Sequence, residues 1–301
     1  MMDIRDKVET YLKGPIASVS TPFDRGGNID YKALRNVVDF IVETADSGTI
    51  LLTYGDSLYS ILTDAEIAEV TRVVVEQNAG RKLVVATGNW WTGESIRFAG
   101  YCKDIGVDVY MPLAPHWAGS STAQTLVDHF TRISDVMPVM VVTALAPGVG
   151  VPLAAIKTLV EGNNGIVAVK DDIVGAYGRR LAHMVEGRWT FLSGGRKENH
   201  LDALPYGAKA YLSMYMRFKP DIAHQYWAAV QANDIREAVR IVNVYDISFM
   251  DTVAELGSDF DAVIHGAMEL FGVAERWRRP PYDNLTDDQM EKLKLFFDKM
   301  R

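Results

Sequence analysis

Along the chain, short runs of β-branched and aliphatic residues alternate with longer segments whose apolar positions recur every three to four residues. Short continuous apolar runs suit strands buried on both faces, as parallel sheets require, and the longer spacing suits helices with one buried stripe. The segments Ile16–Val19, Ile50–Thr53, Leu83–Thr87, Val107–Met111, Pro138–Thr143, Ile166–Val169, Thr190–Leu192 and Ala210–Ser213 are predicted as strands. A short polar helix over residues 3–13 precedes the first. Asp30 is positioned to cap a helix through Leu34, Val37, Val38, Ile41 and Val42, with Gly48 at its exit. Thr63-Asp-Ala-Glu66 has the capping-box spacing and opens a helix that ends near Asn78. Further helices are predicted near residues 92–105, 121–135, 152–161, 175–186 and 198–204.

Eight strands alternating with helices close a parallel barrel, the α/β (β/α)8 TIM-barrel architecture, better than they fill an open doubly wound sheet. No G-x-G-x-x-G follows the early strands, which weakens a dinucleotide-binding reading. After residue 217 the pattern holds only helices, near 220–233, 235–250, 260–271 and 286–300, with Arg279-Pro-Pro-Tyr282 as an extended breaker. The expected organisation is a barrel over residues 1–216 and a C-terminal helical extension over 217–301 packed on it.

Composition narrows the function. The 301 residues are 48% hydrophobic and 23% charged, as in an ordinary globular enzyme. A net charge of -8 without a basic stripe argues against nucleic acid. A single cysteine, Cys102, excludes an intrachain disulfide and fits a reducing compartment. No apolar run approaches the roughly 18 residues that span a bilayer, and the N-terminus lacks an apolar signal core. The expected location is the cytoplasm, with no membrane partner. The six histidines show neither H-x-H nor H-E-x-x-H spacing, and Asp171-Asp172 alone is too little for a metal, so neither metal nor cofactor is expected.

The segment richest in chemistry is Gly165-Ile-Val-Ala-Val-Lys170-Asp-Asp172. In a parallel barrel the C-terminal end of a strand points into the catalytic mouth. Desolvation there disfavours the ammonium and yields an amine able to attack a carbonyl. The plainer alternative is a lysine that snorkels to water and pairs with Asp171 or Asp172.

With a barrel whose sixth strand ends in lysine, the sequence resembles the dihydrodipicolinate synthase / N-acetylneuraminate lyase family over nearly its whole length. The motifs that carry the resemblance are Gly14-Pro-Ile-Ala, Thr21-Pro-Phe23, Gly27-Asn-Ile-Asp30, Leu62-Thr-Asp-Ala-Glu66, Val84–Gly88, Pro115-His-Trp117, Val167-Ala-Val-Lys170 and Leu192-Ser-Gly194. The resemblance implies a homo-oligomeric barrel, dimer or tetramer, and a class I aldolase-type lyase or dehydratase. Such an enzyme forms a Schiff base between Lys170 and pyruvate, another 2-oxo acid or a keto-deoxy sugar acid.

Two departures qualify this. Where the family has Gly-Thr-Thr-Gly-Glu to hold the keto acid's carboxylate, this chain has Thr53-Tyr-Gly-Asp-Ser-Leu-Tyr59, with Gly55, Asp56 and Ser57 near that place. Asp56 there would repel a carboxylate, while Ser57 retains a hydroxyl. The family's fifth-strand tyrosine is absent from Val139–Pro147, where Thr143 is the sole hydroxyl, and the arginine beyond Pro147 is missing too.

The proton relay that the resemblance assigns to that phenol could fall to Tyr54, Tyr59 or Asp56, set against rim packing for the tyrosines and turn capping for the aspartate. Gly194 and Ser213, ending the seventh and eighth strands, are further substrate-binding candidates, with Arg196 and Lys197 either holding a carboxylate or standing as a solvated pair. Trp90 and Trp91 either narrow the mouth or pack its rim, and His116 and Trp117 suit a subunit contact as well as a site. Phe249, Met250 and Met268 are expected in core or subunit contacts. The competing functional classes are a barrel that binds a small metabolite without turnover and a metal-dependent barrel aldolase.

Overall fold

The computed structural model describes residues 2–114 and 120–300, so His116 and Trp117 lie outside the described residues. Its strands are β1 (Gly14–Ser18), β2 (Thr49–Leu51), β3 (Leu83–Gly88), β4 (Val109–Pro112), β5 (Val139–Val142), β6 (Ala144–Ala146), β7 (Val149–Gly150), β8 (Ile166–Asp171), β9 (Thr190–Ser193) and β10 (Ala210–Leu212). Eight of them pair in parallel and close a barrel in the order β1-β2-β3-β4-β5-β8-β9-β10. The eight expected staves are the eight observed. Sequence patterning did not reveal the antiparallel hairpin β6-β7, which stands above the fifth stave and turns at Pro147-Gly148, where Gly148 takes φ 72°.

The helices are α1 (Ile4–Tyr11), α2 (Tyr31–Asp39), α3 (Asp64–Asn78), α4 (Thr92–Ile105), α5 (Ala123–Ser134), α6 (Leu153–Gly162), α7 (Gly175–Val185), α8 (Lys197–Ala203), α9 (Pro220–Gln231), α10 (Ile235–Ile241), α11 (Ser248–Leu256), α12 (Phe260–Leu270) and α13 (Asp287–Lys299). The capping box read from Thr63 and Glu66 is formed, and Asp30 caps α2 through the amide of Ala33. Two expected helices are not uniform. The first passes into a π-helical turn at Phe40–Thr44, and the one predicted from Ile235 widens likewise at Val242–Ile247 before continuing as α11. The extra residue in such a turn rotates the downstream part of the helix, and Asp246 lies within the second turn, buried.

Alternation sorts the strand residues. Ile16, Leu51, Val85, Met111, Met140, Ala168 and Leu192 form the apolar filling of the barrel. Their neighbours Ala17, Ile50, Val84, Tyr110, Val141, Val169 and Phe191 face the helices. Val8 and Leu12, in and just after α1, belong to the inner cluster, so the first helix plugs the N-terminal end of the barrel. Tyr211 of β10 donates a hydrogen bond to the Ala223 carbonyl at 2.7 Å, which ties α9 to the ring in the eighth helix position. Phe249 and Met268 are core residues, and Phe218, Phe249 and Phe297 join the terminal helices to the barrel's outer layer in one cluster. No helix among the described residues is long and apolar enough to cross a membrane.

Three histidines are buried within this packing. Burial holds His129 and His200 at a pKa of about 4 and His265 at about 3, below the ordinary histidine value. A depressed folded value means that stability is fully present above the unfolded pKa of ~6.5 and is lost as pH falls toward the folded one. Denaturant melts should therefore lose on the order of several kcal/mol between pH ~6.5 and ~4, with part of that slope removed by His129→Gln. A His129→Gln slope equal to that of the parent would discount this histidine.

Candidate active site

Ala168 points into the barrel, so Lys170, two residues on, points into the mouth. It pairs laterally with Val142 on one side and Leu192 on the other. The strand-end positions of like parity include Ser18, Thr53, Thr87 and Leu212, all uncharged. Lys170 is 7% exposed, and its Nζ donates to both carboxylate oxygens of Asp172 at 2.5 Å. The side chain is neither in bulk water nor sealed, because the Asp172 side chain remains 27% exposed.

The ion pair rests on a fixed floor. A Cβ at Gly194 would lie 1.8 Å from Asp172 Oδ1, so only glycine lets that carboxylate settle over the end of the seventh stave. The Gly194 amide donates to the Asp171 carbonyl at 2.9 Å. Asp171 turns the other way. Its carboxylate accepts from Thr143 Oγ1 at 2.9 Å and from the amides of Ile173 and Val174, and burial pushes its carboxyl above the usual range.

Thr143 also accepts from the Asp172 amide at 2.9 Å and is fully buried. Expected as a substrate contact, it binds the fifth stave to the sixth, since alternation turns Met140 and Val142 inward and Thr143 toward the wall. Ser57 is likewise committed: it is fully buried, donates to the Val19 carbonyl at 2.7 Å and accepts from the Thr53 amide. Gly55 is exposed on the same loop, with no neighbour near its Cβ position.

Asp56 meets a partner that the sequence reading missed. Arg217, in the turn Met214–Arg217 after β10, is 4% exposed and reaches within 3.6 Å of Asp56 Oδ1. Its Nη1 donates to Ser20 at 3.2 Å, while its Nε is buried without a partner among the described residues, as is Ser213 Oγ. Both residues line a cavity of about 260 Å³ whose walls include Asp56, Gly195, Met250 and Phe260. The guanidinium places positive charge beside this cavity, which suits an anionic ligand. An arginine ending the apolar stretch Leu212–Met216 was the available signal, of the same kind that singled out Lys170.

Lys197 is not the solvated residue its sequence position suggested. It is 1% exposed and donates to Asp246 at 2.7 and 2.9 Å, beneath the ring of Tyr215. Burial drags the lysine down and pushes the aspartate up, and their mutual attraction opposes both. Arg196 stays exposed at the cavity edge.

Tyr59 is buried with its phenol toward Thr71, and burial raises its pKa. Trp90 packs on Phe98 and donates to Asp64, while Trp91 is 67% exposed. Both tryptophans belong to the rim. No metal-holding cluster occurs among the described residues.

Fold and site together define a parallel (β/α)8 barrel with a nearly buried lysine at the top of its sixth stave. The Dihydrodipicolinate synthetase family model matches residues 11–299, and the chain belongs to that family. A 4-hydroxy-tetrahydrodipicolinate synthase of Psychrobacter arcticus is 27% identical over 245 residues, 79% of this chain and 80% of the relative. One from Polynucleobacter asymbioticus is 31% identical over 164 residues, 53% of this chain and 52% of that protein. In matches of the latter kind the chain spans about half the length of the curated relatives. An N-acetylneuraminate lyase structure from Fusobacterium nucleatum superposes with a TM-score of 0.85 at 17% identity, covering 96% of this chain and 99% of that one. A dihydrodipicolinate synthase structure from Aquifex aeolicus gives 0.82 at 23%, covering 96% and 98%. At these identities the structural likeness is one of fold.

Proposed function

We propose that the protein is a Schiff-base-forming lyase, an aldolase or dehydratase, acting on a 2-oxo acid, with Lys170 as its nucleophile. The observation that carries this reading is a lysine 7% exposed, aimed into a barrel mouth and paired there with Asp172. Its amine adds to the keto carbon, and loss of water gives an imine that draws electrons from the neighbouring bond. The names of the relatives in the family, synthases and lyases alike, support the class. Borohydride reduction in the presence of pyruvate, followed by peptide mass analysis, should label Lys170, whereas labelling of no lysine by any 2-oxo acid would refute the assignment.

The substrate's carboxylate is assigned to Arg217 and Ser213. The guanidinium offsets Asp56, so the negative charge on the β2 loop no longer repels an anionic ligand. Arg217→Met should raise KM for the 2-oxo acid by roughly 10- to 100-fold with a smaller change in kcat. An unchanged KM in a folded variant would move the carboxylate elsewhere.

The chain is further proposed to assemble with copies of itself. Ile235, Val239, Val244 and Ile247 are each more than 40% exposed along the α10 segment and the π turn after it, an apolar surface that a lone subunit would leave wet. Light scattering should give a dimeric or tetrameric mass at micromolar concentration, and a monomeric mass would remove this surface from consideration.

A further inference from the structure

We propose that Asp172 is the proton carrier of this site, taking and returning the protons of imine formation that the absent fifth-strand phenol does not handle. The inference rests on the reading of Lys170 as the nucleophile. Asp172 is the group that touches the reacting atom, with both of its oxygens 2.5 Å from Lys170 Nζ.

Among the other candidates near the strand ends, Asp56 faces Arg217, and three more groups have partners of their own. Asp171 is turned to Thr143 and two backbone amides, the Thr143 hydroxyl is engaged by Asp171 and the Asp172 amide, and Tyr59 points to Thr71. Asp172 also has the access a proton carrier needs. Lys170 is nearly closed off, but the aspartate side chain is 27% exposed toward the mouth. The space for that carboxylate exists because residue 194 has no side chain.

The sequence of transfers begins from the ion pair of Lys170 and Asp172. An incoming keto acid covers the open side of the carboxylate and excludes water, which removes the solvation that favours two charges over a neutral pair. The proton passes from Nζ to Asp172, and the free amine adds its electron pair to the keto carbon. Asp172 then returns the proton to the developing alkoxide, giving a carbinolamine. The carbinolamine nitrogen gives up its remaining ammonium proton to the same carboxylate. Asp172 delivers that proton to the hydroxyl, which departs as water as the nitrogen lone pair closes the C=N bond. One aspartate thus serves each transfer, and no other reagent is consumed.

The test compares the rate at which pyruvate and borohydride label Lys170 in the parent protein and in Asp172→Asn, which preserves shape but cannot carry the proton. Labelling should slow by roughly 10²- to 10⁴-fold. In Asp172→Gly, added formate should restore part of the lost rate in a concentration-dependent way, which a merely structural aspartate would not allow. Circular dichroism confirms that each variant is folded, and the formate arm decides the matter should the asparagine variant fail to fold. Parent-like labelling in Asp172→Asn, or no response to formate, overturns the proposal while leaving Lys170 as the nucleophile. Absence of labelling in the parent protein overturns the Schiff-base reading itself, and this proposal with it.

Discussion

Lys170→Ala should abolish turnover and borohydride labelling together, with activity lost by roughly 10⁴-fold or more, because no neighbouring amine can replace the nucleophile. The nearest alternative in kind, Lys197, is 1% exposed and tied to Asp246, so it offers no substitute. The same substitution separates chemistry from architecture. Removing Lys170 leaves Asp172 without its partner, but that carboxylate is 27% exposed and regains water. The expected change in stability is therefore within about 1 kcal/mol. A thermal melt parallel to that of the parent, with catalysis gone, is the expected pair of results. A variant that loses several kcal/mol and labels at another lysine would show that the ion pair is a structural clasp.

The opposite balance is expected at the second buried pair. Asp246→Ala strips Lys197 of its counter-charge where both side chains are 3% exposed or less. Breaking such a pair from one side costs about 3–5 kcal/mol, since the surviving charge stays out of water. For a chain of this size that is a melting temperature lower by roughly 5–8 °C. Replacing both partners at once, with Lys197→Met and Asp246→Leu, should recover most of the loss, because two apolar side chains need no solvation. Melts of the two single variants and the double variant give the coupling directly. Near-additive losses would mean that the pair does not act as a unit.

Legibility in the sequence depended on which signals are local. Parallel strands buried on both faces write themselves as apolar runs, so all eight staves could be found, and Lys170 stood out as a charge ending one of them. The capping box at Thr63 was readable because its two members sit three residues apart on one turn. Thr143 and Ser57 were harder. A hydroxyl at a strand end faces the mouth or the wall according to a single residue of phase, and β5 stops one position before the sequence alone suggested. Arg217 reaches Asp56 from the far end of the barrel sequence, and Asp246 meets Lys197 through a π turn that no periodicity announces. Such contacts depend on closure of the ring and on a helix wound out of phase, and neither is encoded in any short window.

The plug formed by Val8 and Leu12 has a bearing on the order of events during turnover. Stoppering the floor turns ligand traffic to the opposite end, where Lys170 stands at its strand's close. On the Schiff-base reading, a keto acid joined to Lys170 and any later reactant share that passage. A second reactant would therefore pass over the first rather than enter behind it.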